Sequence, residues 1–138
     1  MRFWDSSAIV PLILAQPRSA EARAWLAEDA EVVVWWNTRI ECASAIARLH
    51  RDGHLPANGE RAARELLDVL QRSWFEIQPG DGVRDQALRL LRLHPLRAAD
   101  ALQLAAAIEW AGTPPAGVLL TFDDRLRDAA EREGFAIG

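Results

Sequence analysis

The chain has no lysine, a single cysteine (Cys42) and no apolar run approaching the roughly 20 residues that a membrane-spanning helix needs. All 16 basic residues are therefore arginine, which removes every mechanism that depends on a lysine. One cysteine excludes a disulfide framework and a thiolate metal site, so a reducing, cytoplasmic setting is expected. No signal peptide is expected, because Asp5 interrupts the first apolar segment and no long apolar stretch follows it. Basic excess is also missing. The net charge of −4 argues against indiscriminate nucleic-acid binding, which needs basic surface against phosphates. It does not argue against a nuclease whose acids are gathered at a metal site.

What is present is a globular balance, 50% hydrophobic and 26% charged over 138 residues. That length suits one domain, residues 1–138, burying about two thirds of its unfolded surface. Short β-rich apolar segments alternate with longer patterns of helical period, the mark of βαβ units on a parallel sheet. Strands are expected at Met1–Trp4, Glu31–Trp36, Trp74–Ile77, Val118–Phe122 and Phe135–Ile137. Apolar stripes of helical spacing run through Cys42, Ala45, Ile46 and Leu49, through Ala63, Leu66, Leu67 and Leu70, and through Val83, Ala87, Leu90 and Leu91. Ala98–Trp110 is apolar nearly all round and reads as a buried central helix. Gly134 stands where a helix C-cap belongs. The fold class that follows is α/β, a three-layer α/β/α sandwich around a small central parallel sheet.

Four acids occupy strand ends or helix starts: Asp5 after the first strand, Glu41 after the second, Asp100 at the start of the apolar helix and Asp123 after the fourth strand. Each has an ordinary explanation. Asp5 and Asp123 suit N-caps, Thr38 and Glu41 match a capping box, and Asp100 favours the helix dipole. Asp100 is the hardest to explain that way, since it is the only acid in the first three turns of a helix built from Ala, Leu and Ile. Ligands in open α/β sheets bind beyond the carboxyl ends of the strands, where these acids would gather. Carboxylates brought together resist ionising unless a cation neutralises them. An all-oxygen set without His or Cys suits Mg²⁺ or Mn²⁺ rather than zinc. Two such ions can clamp the attacking and leaving oxygens of a phosphodiester.

The segments WDSSAIVPLIL, NTRIECASAIARL, LRAADALQLAAAIEW and LLTFDDRLRDAA, in this order across essentially the whole chain, resemble the PIN domain family, specifically VapC-type toxins of bacterial toxin–antitoxin pairs. The resemblance implies a Mg²⁺- or Mn²⁺-dependent endoribonuclease whose metal and catalytic acids are Asp5, Glu41, Asp100 and Asp123. Ser6 and Thr121 would orient those acids, and the spacing from Thr121 favours Asp123 over Asp124. It further implies an RNA substrate, a cognate antitoxin protein, a homodimer, and a part for Leu12, Ile13, Trp25 and Leu26 in the antitoxin groove. Water would attack the phosphodiester in line, leaving a 5′-phosphate and a 3′-hydroxyl.

Other residues read as follows. Arg48 shares a helix face with Glu41, Ser44 and Arg51, so it is either an RNA-phosphate contact or part of a solvated face; Arg97, a turn from Asp100, is a second candidate contact. Trp35 and Trp36 are expected in the core on opposite faces of a strand, Cys42 is a packing residue, and His50, His54 and His94 are expected at the surface. A receiver domain and a haloacid-dehalogenase-type phosphatase both need a lysine and fail. A DNA-directed or structure-specific nuclease on the same fold, and a non-catalytic binding domain with well-capped helices, stay open.

Overall fold

The computed structural model describes all 138 residues. In chain order the elements are β1 (Arg2–Trp4), α1 (Ser6–Ile13), α2 (Ser19–Glu28), β2 (Val32–Trp35), α3 (Thr38–Arg51), α4 (Ala57–Gln71), β3 (Phe75–Ile77), α5 (Asp81–Leu93), α6 (Ala98–Ala111), β4 (Val118–Leu120), α7 (Asp124–Glu133) and β5 (Ala136–Ile137). The strands form one sheet in the order β3-β2-β1-β4-β5, every neighbouring pair parallel.

Consecutive side chains of a strand point to opposite faces, and here both faces are covered. Phe3, Val33, Trp35 and Leu119 pack with residues of α5, α6 and α7. Trp4, Val32, Val34 and Leu120 pack with residues of α1, α2, α3 and α4. The result is the expected α/β/α sandwich. Ala101, Leu104, Ala105, Ala106 and Ala107 are fully buried, so α6 is the central helix its composition predicts. Gly134 ends α7 in the left-handed region at φ 103°, where a side chain would be strained.

Several expectations need correction. β4 stops at Leu120, two residues short of the predicted end, because hydroxyls take over from the sheet ladder. The Phe122 amide donates to Ser7 Oγ at 2.9 Å and the Asp123 amide to Thr121 Oγ1 at 3.0 Å. β2 stops at Trp35, which is buried; Trp36 falls in the turn beyond and is 45% exposed rather than core. Leu66 and Leu91 lie on the exposed shoulders of their helices, so the buried stripes are narrower than the apolar ones. His50 and His54 are at the surface, whereas the His94 side chain is packed in against Glu133.

The sheet order places the functional edge. The chain builds outward from β1 through β2 to β3, then returns to add β4 on the other side of β1. Strand order therefore reverses between β1 and β4, where a crevice opens at the carboxyl ends. Trp4 pairs with Leu120, and the Asp5 amide donates to the Leu120 carbonyl at 3.0 Å, so Asp5 and Thr121 emerge side by side at that crevice.

Candidate active site

A cleft of about 680 Å³ opens at this edge, and all four sequence-predicted acids line it. Asp5 arrives from the end of β1, Glu41 from the first turn of α3, Asp100 from the first turn of α6 and Asp123 from the start of α7. Ser6 and Ser7 line the acidic end, while Arg18 and Arg48 stand among the lining residues as its two cations. Arg97, the residue before α6, is not part of the lining, although its charge acts on Asp100.

Asp5 is 3% exposed, and its hydrogen bonds are one-sided. Oδ2 accepts from the Ser7 amide at 3.2 Å, from the Ser7 hydroxyl, and from Thr121 Oγ1 at 3.0 Å. Both hydroxyls then accept backbone amides, from Phe122 and Asp123, which ties the start of α1 to the end of β4. Oδ1 has only the Ser6 hydroxyl at 3.5 Å, too long for a strong bond. The capping explanation of Asp5 is thus correct for Oδ2, while Oδ1 keeps its lone pairs free. Asp123 is similar: Oδ1 caps α7 through the Leu126 amide at 2.9 Å.

Glu41 does not close a capping box. Its Oε2 accepts from Ser6 Oγ at 2.7 Å, and its Oε1 accepts from Gln103 Nε2 at 3.2 Å. Gln103 is completely buried on α6, and its amide also donates to Thr38 Oγ1 at 3.0 Å. The Ser6 and Thr121 hydroxyls therefore bond to acids, Ser6 more closely to Glu41 than to Asp5. Ser7 and Gln103 were not singled out from the sequence. Gln103 had a signal: it is the one amide in an apolar helix, three residues after Asp100.

The acids are electrostatically frustrated. Burial pushes Asp5 up from 3.8 to about 6, against the lowering effect of the Ser7 and Thr121 bonds, with the Glu41 charge adding to the rise. Burial also raises Glu41, with the Asp100 charge contributing after the Ser6 and Gln103 bonds that oppose it. Asp100 is raised by burial and by Asp123, with Arg97 and Arg125 opposing. No three His, Cys, Asp or Glu side chains stand close enough to hold a metal ion among themselves. The carboxylates flank an open cleft instead of enclosing a cage. Cys42 beside Glu41 is buried, and burial pushes its thiol far up, as befits a packing residue.

On the rim, Phe122 stacks on Trp25 with centroids 4.6 Å apart, and the Arg18 guanidinium lies 4.3 Å from the Phe122 ring centroid. Arg18, a lining residue of the cleft, also pairs with Glu21 at 2.8 Å in an exposed i,i+3 ion pair. Among the residues expected to shape a groove, Ile13 and Trp25 are buried and Leu12 and Leu26 are half-buried.

A parallel α/β sandwich with four carboxylates at its topological switch point defines the class: an open-sheet domain with an acidic cleft. The family model of the PIN domain matches residues 2–132, and the chain belongs to that family. Ribonuclease VapC46 of Mycobacterium tuberculosis is 34% identical over 139 residues, covering 98% of this chain and 94% of its own length. The solved structure of Mycobacterium tuberculosis VapC20, described as a sarcin–ricin loop cleaving toxin, superposes with a TM-score of 0.72 at 19% identity, covering 99% and 97% of the two chains. A toxin–antitoxin complex from Klebsiella pneumoniae gives a TM-score of 0.64 at 17% identity, covering 89% and 87%. These structural likenesses speak to the fold.

Proposed function

We propose that this chain is a metal-dependent endoribonuclease, the toxin of a type II toxin–antitoxin pair, using Mg²⁺ or Mn²⁺ held by Asp5, Glu41, Asp100 and Asp123. The observation that carries the reading is the convergence of four carboxylates from four separated segments on one cleft, with Asp5 Oδ1 left free of any strong donor. The donor set suits a hard divalent cation, since every candidate ligand is a carboxylate oxygen. An open arrangement suits it too, because such ions keep several waters and bind one or two carboxylates directly. The names of the VapC relatives as ribonuclease and toxin support the substrate class.

When bound, the cation supplies charge that neutralises the acids and the scissile phosphate, and it acidifies the attacking water. The remaining work falls to the chain. Ser7 and Thr121 hold Asp5 through Oδ2 and leave Oδ1 without a strong donor, and Ser6 and Gln103 clamp Glu41 through its two oxygens. Asp100 and Asp123 complete the acidic end. Arg48 and Arg18 meet phosphates at the mouth, and Arg97 contributes from outside it. Water adds to phosphorus in line, the bond to the 3′-oxygen breaks, and the products carry a 5′-phosphate and a 3′-hydroxyl. Residues 1–138 act as one domain in the cytoplasm, silenced by a cognate antitoxin. Exposed Trp36, Phe75, Leu88 and Leu93 offer apolar surface to a second copy in a homodimer. No helix of the chain is long and apolar enough to cross a membrane.

The test is cleavage of a total-RNA pool by antitoxin-free protein with Mg²⁺, with Mn²⁺ and with EDTA, beside Asp100→Asn and a DNA control. Discrete RNA products that need metal and vanish in the variant are expected. A folded wild type that cuts no RNA, or a variant that cuts equally well, overturns the reading.

A further inference from the structure

A second recess, of about 70 Å³, shares no lining residue with the acidic cleft. It lies between the loop that joins α5 to α6, at His94 and Pro95, and the face of α7 that carries Arg125, Asp128, Ala129 and Arg132. Those four positions are spaced i, i+3, i+4 and i+7, so they share one side of the helix. The recess is large enough for a phosphate group.

Its chemistry is unfinished in the way an anion site is. Arg125 and Arg132 form no ion pair with any acid, Asp128 included. The His94 side chain is 7% exposed. Its Nε2 lies 2.7 Å from Glu133 Oε1, and Glu133 is gripped through both oxygens by Arg89 at 3.2 and 2.8 Å. The ring is thereby fixed, yet its buried Nδ1 has no partner. His94 is thus a fixed wall of the recess, and the two free guanidinium groups are its donors. A phosphate group supplies acceptors for both arginines.

Location says whose phosphate it is. Arg125 stands two residues beyond Asp123, and its charge reaches Asp100. Four acids repel a polyanion, so a strand entering the cleft needs positive charge close by. We infer that the His94–Arg125–Arg132 recess binds a non-scissile phosphate of the RNA strand whose scissile phosphate lies in the acidic cleft. The inference rests on the ribonuclease reading for its ligand, not for its geometry.

The experiment measures binding of a labelled single-stranded RNA by fluorescence anisotropy in EDTA, where cleavage is silent, across a range of salt. Wild type is compared with Arg132→Gln and with Arg125→Gln/Arg132→Gln; both side chains are exposed, so folding is retained. Loss of one phosphate contact lowers the slope of log affinity against log salt by about 0.7. We expect that change, with roughly tenfold weaker binding at low salt. Among single methylphosphonates placed along the RNA, one that weakens wild type should leave the double variant indifferent, while those at the other phosphate contacts weaken both proteins. Equal affinity and slope in all three proteins overturns the inference, as does a methylphosphonate profile unchanged in the double variant. Inorganic phosphate is the control: if it displaces nothing from wild type at RNA-like charge concentration, the strand assignment gains support, and if it saturates the recess with no RNA preference, that assignment is overturned. Cleavage with Mg²⁺ is followed in parallel. Binding without cleavage defeats the nuclease reading and leaves the recess standing; cleavage with unaltered binding in the variants does the reverse.

Discussion

Gln103, in the middle of α6, holds Glu41 on α3: its side-chain amide lies 3.2 Å from Glu41 Oε1 and 3.0 Å from Thr38 Oγ1, fully out of solvent. Sixty-two residues separate the pair. Gln103 thereby holds one carboxylate in place beside acids that repel it.

Replacing Gln103 with Leu leaves Thr38 and Glu41 short of a donor, at a cost of about 1–3 kcal/mol in urea denaturation. Cleavage should fall mainly in kcat with KM little changed, because Glu41 stays but loses its orientation. Gln103→Asn should restore neither bond, being one methylene short, whereas Gln103→Glu should fail more severely by adding a buried acid. A Leu variant with full kcat would show that the clamp is structural only.

Asp100→Asn removes a carboxylate that is raised by burial and by the Asp123 charge. Without metal, the variant should therefore be as stable as wild type or more so, by up to about 1 kcal/mol, while cleavage drops by about 100-fold or more. Paired thermal melts in EDTA and RNA cleavage assays in Mg²⁺ check the two halves. Destabilisation with retained cleavage would refute both.

Stability of the metal-free protein should depend on pH through Asp5. The folded chain keeps its proton up to about pH 6, whereas the unfolded carboxyl releases it near 3.8. The stabilisation from that retained proton is complete below the unfolded value and is lost as pH rises through the folded one. Relative to Asp5→Asn, which does not titrate there, wild type should lose on the order of 3 kcal/mol between about pH 4 and pH 7. Adding Mn²⁺ at pH 7 should recover stability in wild type and not in the variant. Urea midpoints at four pH values decide it, and a flat difference between the two proteins would sink the assignment.

Ser7→Ala and Ser6→Ala should part company. Ser7 serves buried Asp5 and accepts the Phe122 amide, so its loss should cost about 1–3 kcal/mol and raise Asp5 further. Ser6 serves half-buried Glu41, so its loss should reduce cleavage more than stability. Calorimetry and kinetics on both variants give the comparison.

The sheet and the four acids were legible because both depend on local pattern. Apolar segments of strand length each end in a polar residue, and a parallel sheet collects those ends at one edge. The supports were harder to read. Thr121 sits 116 residues from the Asp5 it bonds, and Ser7 115 from the Phe122 amide it receives, so neither pairing follows from any window of sequence. Trp36 misled because a strand end can fall between two identical residues; Trp35 keeps the sheet's alternation and Trp36 begins the turn. His94 misled because its partner, Glu133, comes from a helix 39 residues away. In each case tertiary approach decided what local chemistry left open.

The return of β4 to the middle of the sheet has a consequence for when the protein becomes active. Asp5 and Glu41 leave the ribosome early, but the crevice between β1 and β4 does not exist until Leu120 has been added, and Asp123 follows it. A chain synthesised as far as Leu93 has two of the four carboxylates and no second wall to its cleft. Synthesis from the N-terminus therefore works as a delay: the acids that meet at the switch point are assembled only once Asp123 has been added, and a product truncated before it carries no complete site.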